Sequence, residues 1–299
     1  MIEVPASFRA MPRWWHGGAA WLDTLPALVA EQCDHFGVVV DGPVRHGSNA
    51  LVVPVRRGTE RFALRLNPPD DHDLPAQVEA LRFWAGRGTV LLHDAELAAG
   101  AMLLERLDAG RTLETMPSAD AVPILARLMR RLAVEPPTGV TTTTSILRSG
   151  VARFRDAWRE LRQPFPERLL DGVLDAAGAL LAEPGADLAV NGDLHYAQVL
   201  GGEREPWLVV DPVLLRGDIE YDLARILWDR LDTRSDRDVV DHVRTVVEIA
   251  GLDPARARRW VIFRSADYLF WGLRHGLTED PPRCHRLLDL MLTTSKGLG

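Results

Sequence analysis

Lysine is almost missing from this sequence: Lys296 is the only one, and arginine carries the rest of the basic charge. The bias is that of a GC-rich coding sequence. Cysteine is nearly as scarce, since Cys33 and Cys284 stand far apart without any C-x-x-C spacing, which excludes a zinc knuckle and a disulfide framework. Excess positive charge is absent too. The formal net charge is -7, whereas a nucleic-acid-binding domain needs clustered Lys and Arg against the phosphate backbone; a cationic ligand suits the balance better. No run of about 18 uncharged apolar residues occurs, and residues 1–15 hold Arg9 and Arg13 without the apolar centre of a signal peptide. Neither nucleic acid nor membrane is an expected partner, and the expected compartment is the cytoplasm. The G-x-x-x-x-G-K-[ST] loop and the H-E-x-x-H pair are also missing, so a P-loop nucleotide site and a zinc-hydrolase helix are excluded.

What is present is enough apolar material for one large or two modest cores: 46% of 299 residues. Helical spacing over 17–36 predicts a leading helix, with Pro26 its weak point. Apolar or β-branched runs at 38–41, 50–55 and 61–66, parted by glycine-containing turns, predict an antiparallel meander. Leu74, Val78, Leu81 and Trp84 share one helical face, with Glu79 beside it. Strands are expected at 89–93 and 101–107. Helices are expected over 118–134, 145–162, 167–181, 218–231, 236–250, 254–275 and 283–294, interrupted by short strands at 188–190 and 207–210. This segregation is α+β, with a β-rich part over 1–108 and a helical part over 109–299.

The chemical signal lies between the last two predicted strands, in Asn191-Gly192-Asp193-Leu194-His195-Tyr196-Ala197-Gln198, followed by an apolar strand that ends in Asp211. A kinase catalytic loop places an aspartate five residues before an amide, and a second acid follows a later strand. Asp193, Gln198 and Asp211 occupy those places. The spacing has a physical reason: one carboxylate must reach the acceptor hydroxyl, while an amide oxygen and another carboxylate hold Mg²⁺ against nucleotide phosphates.

These residues resemble the aminoglycoside and hydroxyurea phosphotransferases, which carry H-G-D-L-H-x-G-N-x-L, a strand with an acid, and then G-D-P-x-x-D-L. Here the corresponding stretches read NGDLHYAQVL and WLVVDPVLLRGDIEYDLARILWDR. The Asp-Pro after the strand is most similar to the streptomycin and hydroxyurea kinase branch. The likeness extends to Glu79–Trp84 and to Leu103–Leu107, in the family's order. It implies a bilobal protein-kinase-like fold, with a small antiparallel β N-lobe and a larger helical C-lobe. It also implies transfer of the γ-phosphate of ATP or GTP, with Mg²⁺, to a hydroxyl of an antibiotic-like small molecule. By that resemblance Asp193 is the base or orienting group and Gln198 and Asp211 are the metal ligands. Gly47, Ser48 and Asn49 form the loop over the phosphates; Arg65 grips them with Glu79 as its helix partner; Glu105, Arg106 and Leu107 are the hinge against the base.

The sequence departs from the family pattern at three positions. Arg65 replaces a lysine with a bulkier, forked cation. Gln198 replaces an asparagine, adding one methylene to the amide's reach, and Asn191 stands where the family has histidine. Those departures motivate a second expectation, a catalytically silent kinase-like binding protein; a third is a kinase of a cellular metabolite such as a choline-like or sugar-like alcohol. His195 is expected to be loop scaffolding bonded to nearby backbone. Asp218, Glu220 and Asp222 open a predicted helix and are read first as capping residues, while Asp218, Asp222, Asp229, Asp267 and Trp271 are candidates for the acceptor pocket. Trp228, Trp260, Tyr268 and Trp271 are read first as core, with one or two of them able to form a pocket wall, and Arg256, Arg258 and Arg259 as a solvated face.

Overall fold

The computed structural model describes residues 2–11, 18–69, 71, 73–183 and 185–294. Arg13, Lys296 and Gly17, at which the leading helix was expected to open, lie outside them. Contacts divide the chain into a unit of Met1–Arg111 with Leu200–Val210, and a second of Thr112–Val199 with Asp211–Gly299. The sequence puts the division at 108/109 and carries no sign that 200–210 returns to the first unit.

The first unit runs α1 (Ala6–Arg9), α2 (Ala19–Phe36), β1 (Val39–Val40), β2 (Arg45–His46), β3 (Leu51–Arg57), β4 (Glu60–Leu66), α3 (Leu74–Trp84), β5 (Leu92–Glu96), β6 (Ala101–Glu105) and β7 (Asp108–Thr112). Its main sheet has the order β1-β3-β4-β6-β5, with β2 on β3, and the pairings are antiparallel. The period of two along each strand decides which helix covers which face. Leu51, Val53 and Val55 of β3, with Ala101 and Leu103 of β6, bury against Phe8, Leu25 and Val29 of α1 and α2. Met102 and Leu104 point the other way, onto Leu74, Val78 and Leu81 of α3. The strand expected over 89–93 starts only at Leu92, because the Val90 N–H donates to the Val209 carbonyl at 2.8 Å. The expected helical weak point at Pro26 lies inside an unbroken α2.

The second unit holds α4 (Ser118–Leu132), α5 (Thr143–Glu160), α6 (Glu167–Ala182), β8 (Leu188–Asn191), and, after β9 (Val199–Gly201) and β10 (Leu208–Val209), β11 (Leu214–Gly217), α7 (Leu223–Trp228), α8 (Asp236–Ala250), α9 (Pro254–Arg274) and α10 (Asp280–Thr293). Residues 260–266 of α9 are buried without interruption, which marks it as the central helix, since one that is buried all round has no solvent face to keep polar.

The helix expected over 218–231 is broken. Residues 219–222 form a tight 3-10 turn, α7 follows, and Arg230 takes a left-handed conformation at φ 59° before a second short turn. Asp218 does not cap: its Oδ2 accepts from Arg256 Nε at 2.9 Å and from Trp260 Nε1 at 2.6 Å. Partners 38 and 42 residues away thus override the local helical pattern. The solvated face expected at Arg256, Arg258 and Arg259 is corrected by the same contacts: Arg256 is committed to Asp218, and Arg258 donates to the Met291 carbonyl at 2.7 Å. Among the described residues no helix is long and apolar enough to cross a membrane.

Candidate active site

The site grows out of a two-stranded ribbon. β11 pairs antiparallel with β8, with Leu214 opposite Asn191, and a further bond from Gly192 N to the Val213 carbonyl, 2.8 Å, extends the pairing by one step. Asp193 and Asp211 therefore leave the same end of the ribbon, one on each strand's extension. Gly192 is required there for closeness, since a Cβ would lie 2.6 Å from Leu215 Cδ1. Asn191, in the place of the family's histidine, accepts on Oδ1 from Val213 N at 2.9 Å and so staples the two extensions together.

Both oxygens of Asp193 are engaged. Oδ1 accepts from Arg225 Nε at 2.8 Å, and Oδ2 accepts from Gln198 Nε2 at 2.9 Å. The side chain remains 40% exposed, and a carboxylate oxygen has a second lone pair, so each can still accept a proton or hydrogen bond from a ligand. Because an ionised carboxylate only accepts, Gln198 must turn its NH₂ to Asp193; its Oε1 is then buried with no hydrogen-bond partner. A buried orphan oxygen of this kind is costly unless something binds it. Mg²⁺ takes hard oxygen ligands, one or two from protein and the rest from phosphates and water. The Gln198 oxygen and the half-buried Asp211 carboxylate are a donor set that fits it. Among the described residues no three His, Cys, Asp or Glu side chains converge as a metal site of their own.

His195 is not bonded to neighbouring backbone through its ring, as was expected. Its imidazole lies between two acids, with Nε2 3.7 Å from Asp193 Oδ2 and Nδ1 3.4 Å from Asp229 Oδ2. Burial works to raise the Asp229 carboxyl, but His195 and Arg225 outweigh it and hold the group below the ordinary carboxylate range. Asp222 is the opposite case. Fully buried, it is pushed well above that range by desolvation, against the pull of Arg264 and with the push of Asp193. Asp218 and Asp222 are thus turned into the fold, away from any ligand, whereas Asp229 faces His195.

Asp267 and Trp271 line a cavity of about 420 Å³ between α5 and α9. Spacing along α9 puts Tyr268, Trp271 and His275 on one face, stacked with centroids 5.2 and 4.4 Å apart, and Trp228 continues the column inward at 4.8 Å from Tyr268. Trp228 and Trp260 are core, but Trp271 is 47% exposed. Burial pushes the Asp267 carboxyl up, opposed by Arg264 and Arg153.

In the first unit, Gly47, Ser48 and Asn49 form the turn between β2 and β3. Asn49 Nδ2 donates to Asp71 Oδ2 at 2.7 Å, Asn67 Nδ2 donates to the same oxygen at 2.7 Å, and Arg65 Nε donates to Asn67 Oδ1 at 3.1 Å. Arg65 is thereby tied to the turn through Asn67 and Asp71. Glu79 is exposed on α3, and no ion pair joins it to Arg65 among the described residues. The forked arginine has a partner, Asn67, within its own strand's extension. Glu105 is held by Leu91 N at 3.0 Å and by Arg204, and Arg106 donates to the Phe62 carbonyl at 2.7 Å; Leu107 follows between β6 and β7.

A profile described as "Aminoglycoside/hydroxyurea antibiotic resistance kinase" matches residues 35–276. The chain belongs to that family. Among its relatives are the streptomycin 6-kinase of Streptomyces glaucescens, 38% identical with 92% of each chain covered, and the hydroxyurea phosphotransferase of Kitasatospora aureofaciens, 36% identical with 98% of this chain and 86% of that one covered. A solved structure of a thermostable mutant of aminoglycoside phosphotransferase APH(4)-Ia, in ternary complex with AMP-PNP and hygromycin B, aligns with a TM-score of 0.66 at 16% identity. The alignment covers 90% of this chain and 98% of that one, and the likeness establishes the protein-kinase-like fold. As an antibiotic resistance kinase the chain is a phosphotransferase.

Several residues of this kinase escape sequence reasoning. Arg225 lies within the family-like stretch, but the resemblance gives it no role; its signal is a lone charge in the otherwise apolar Leu223–Trp228. Arg264 donates to the Gly192 carbonyl at 3.1 Å and to Tyr221 Oη at 2.6 Å, bracing the loop from α9. Asp71 and Asn67 carry no signal at all.

Proposed function

We propose that this chain transfers the γ-phosphate of ATP to a hydroxyl of a cationic, streptomycin-like aminoglycoside, a modification that protects the cell. The observation that carries the reading is the Asp193 carboxylate, fixed on both oxygens yet exposed, beside an amide oxygen with no protein partner. The acceptor hydroxyl binds to a free lone pair of Asp193, its oxygen attacks the γ-phosphorus, the bond to the ADP oxygen breaks, and the proton passes to the Asp193 carboxylate. Gln198 and Asp211 hold Mg²⁺, which supplies charge neutralisation at the phosphates when bound. Arg65 and the turn at Gly47, Ser48 and Asn49 hold the phosphates, and Glu105 to Leu107 meet the purine. The reaction belongs in the cytoplasm, where ATP is.

The cavity between α5 and α9 favours the larger acceptor. Its volume of about 420 Å³ falls within the range of drug-sized sites, far more than hydroxyurea fills. Asp267 offers a carboxylate to a cation, and Trp271, stacked between Tyr268 and His275, offers the exposed part of its ring as an apolar wall. Arg274 is paired to Glu160 at 2.7 Å, and Arg153 meets Asp267 at 3.5 Å, so an entering cation competes with Arg153 for the Asp267 carboxylate.

Transfer of labelled γ-phosphate from ATP and from GTP, screened over streptomycin, hydroxyurea and choline, tests the reading. Label on streptomycin from ATP is the expected result. Label only on hydroxyurea or choline removes the acceptor assignment, and no label on any of them, with no nucleotide-induced rise in melting temperature, leaves a silent binder.

A further inference from the structure

Arg225 sits in a helix whose other residues, Leu223, Ala224, Ile226, Leu227 and Trp228, are completely buried. A charge in such a place must be paired. Asp229, one helical turn on, has a half-buried carboxylate in its electrostatic reach, and an arginine needed only to satisfy the fold would be served by that acid. Arg225 instead gives Nε, at 2.8 Å, to Asp193, whose side chain is 40% exposed while its own is 15% exposed. Its guanidinium carbon also lies 5.6 Å from the Trp228 ring centroid, so the aromatic column of Trp228, Tyr268 and Trp271 backs the same group that holds the carboxylate.

On the kinase reading above, we infer that Arg225 is a positioning residue for phosphoryl transfer: it fixes the side-chain rotamer of Asp193 from behind and ties it to the aromatic wall of the acceptor cavity. Gln198 cannot do this alone. One hydrogen bond to Oδ2 leaves the carboxylate free to swing about its bond to Cβ, and the second bond to Oδ1 removes that freedom. The arginine does not touch substrate; it acts through Asp193.

Three proteins are compared: the wild type, Arg225→Met, which keeps the stem and removes the cation, and Arg225→Lys, which keeps the charge without the fork. In Arg225→Met, kcat is expected to fall on the order of 10²-fold, the penalty of a misplaced reacting group. The KM values for ATP and acceptor should stay within about 3-fold and Arg225→Lys should recover part of kcat, a separation that general loss of stability would not give. A crystal structure of Arg225→Met should show Asp193 in a different rotamer. If kcat is unchanged, or if KM alone rises, or if Asp193 keeps its rotamer, the role is wrong. Should Arg225→Met fail to fold, full activity in Arg225→Lys overturns the role equally, because a lysine cannot reproduce the Nε contact. A wild-type protein that phosphorylates no acceptor instead overturns the kinase reading itself.

Discussion

Single side chains in this protein divide by whether burial is matched by partners. Asp218 and Asp222 are both buried, one satisfied by Arg256 and Trp260 and the other pushed up by desolvation, so neither is available to a substrate. Asp267 differs because it opens on a cavity. Replacing it with asparagine removes one charged hydrogen-bond acceptor worth about 1.5–3 kcal/mol, and the acceptor KM should rise roughly 10–100-fold with little change in kcat. The pH dependence follows from its raised value: a cation is attracted only by the ionised form, so acceptor KM should fall as pH rises through the region above the ordinary carboxylate range. Asp267→Asn should flatten that fall. Steady-state kinetics from pH 4.5 upward check both, and a wild-type profile that already matches the variant's would remove Asp267 from the acceptor site.

At the scale of elements, α5 and α9 set the width of that cavity, and their approach depends on Gly150. A Cβ there would lie 2.7 Å from Phe263 Cζ and 3.0 Å from Phe154 Cζ, and Phe263 is itself held edge-on by Trp260. Gly150→Ala gains helix propensity of about 1 kcal/mol, but overpacking a fixed aromatic ring costs about 1–3 kcal/mol. The variant should therefore be destabilised in urea unfolding; equal or greater stability would show that the rings yield. Most of the helices were readable from sequence through an apolar stripe, as in α4 with Val122, Leu125, Met129 and Leu132, and α9 through its long apolar content. The short strands β2, β7, β9 and β11 were not, since Asp108-Ala109-Gly110-Arg111-Thr112 has neither β-branched runs nor alternation. The break at 218–222 was hidden for a different reason: it is imposed by Arg256 and Trp260 from α9. In the proposed site, Asp193, Gln198 and Asp211 could be nominated from sequence because the chemistry asks for a set spacing along the chain. Arg225, Arg264 and the Asn67 and Asp71 relay meet the site only in space.

Across the whole molecule, the buried charges cancel, with Arg65, Arg234 and Arg264 against Asp218, Glu220 and Asp222, so the net charge of -7 is left to the accessible surface and sets the field that a ligand meets. That field suits a cationic acceptor and opposes nucleic acid. The central claim is that Asp193 serves the acceptor while the metal and nucleotide are held by other groups. Single-turnover transfer by Asp193→Asn, paired with calorimetric titration of the same variant with MgATP, tests it most directly. Transfer should drop by about 10²–10⁴-fold with nucleotide affinity nearly unchanged; transfer that survives, or affinity that vanishes with it, would contradict the claim.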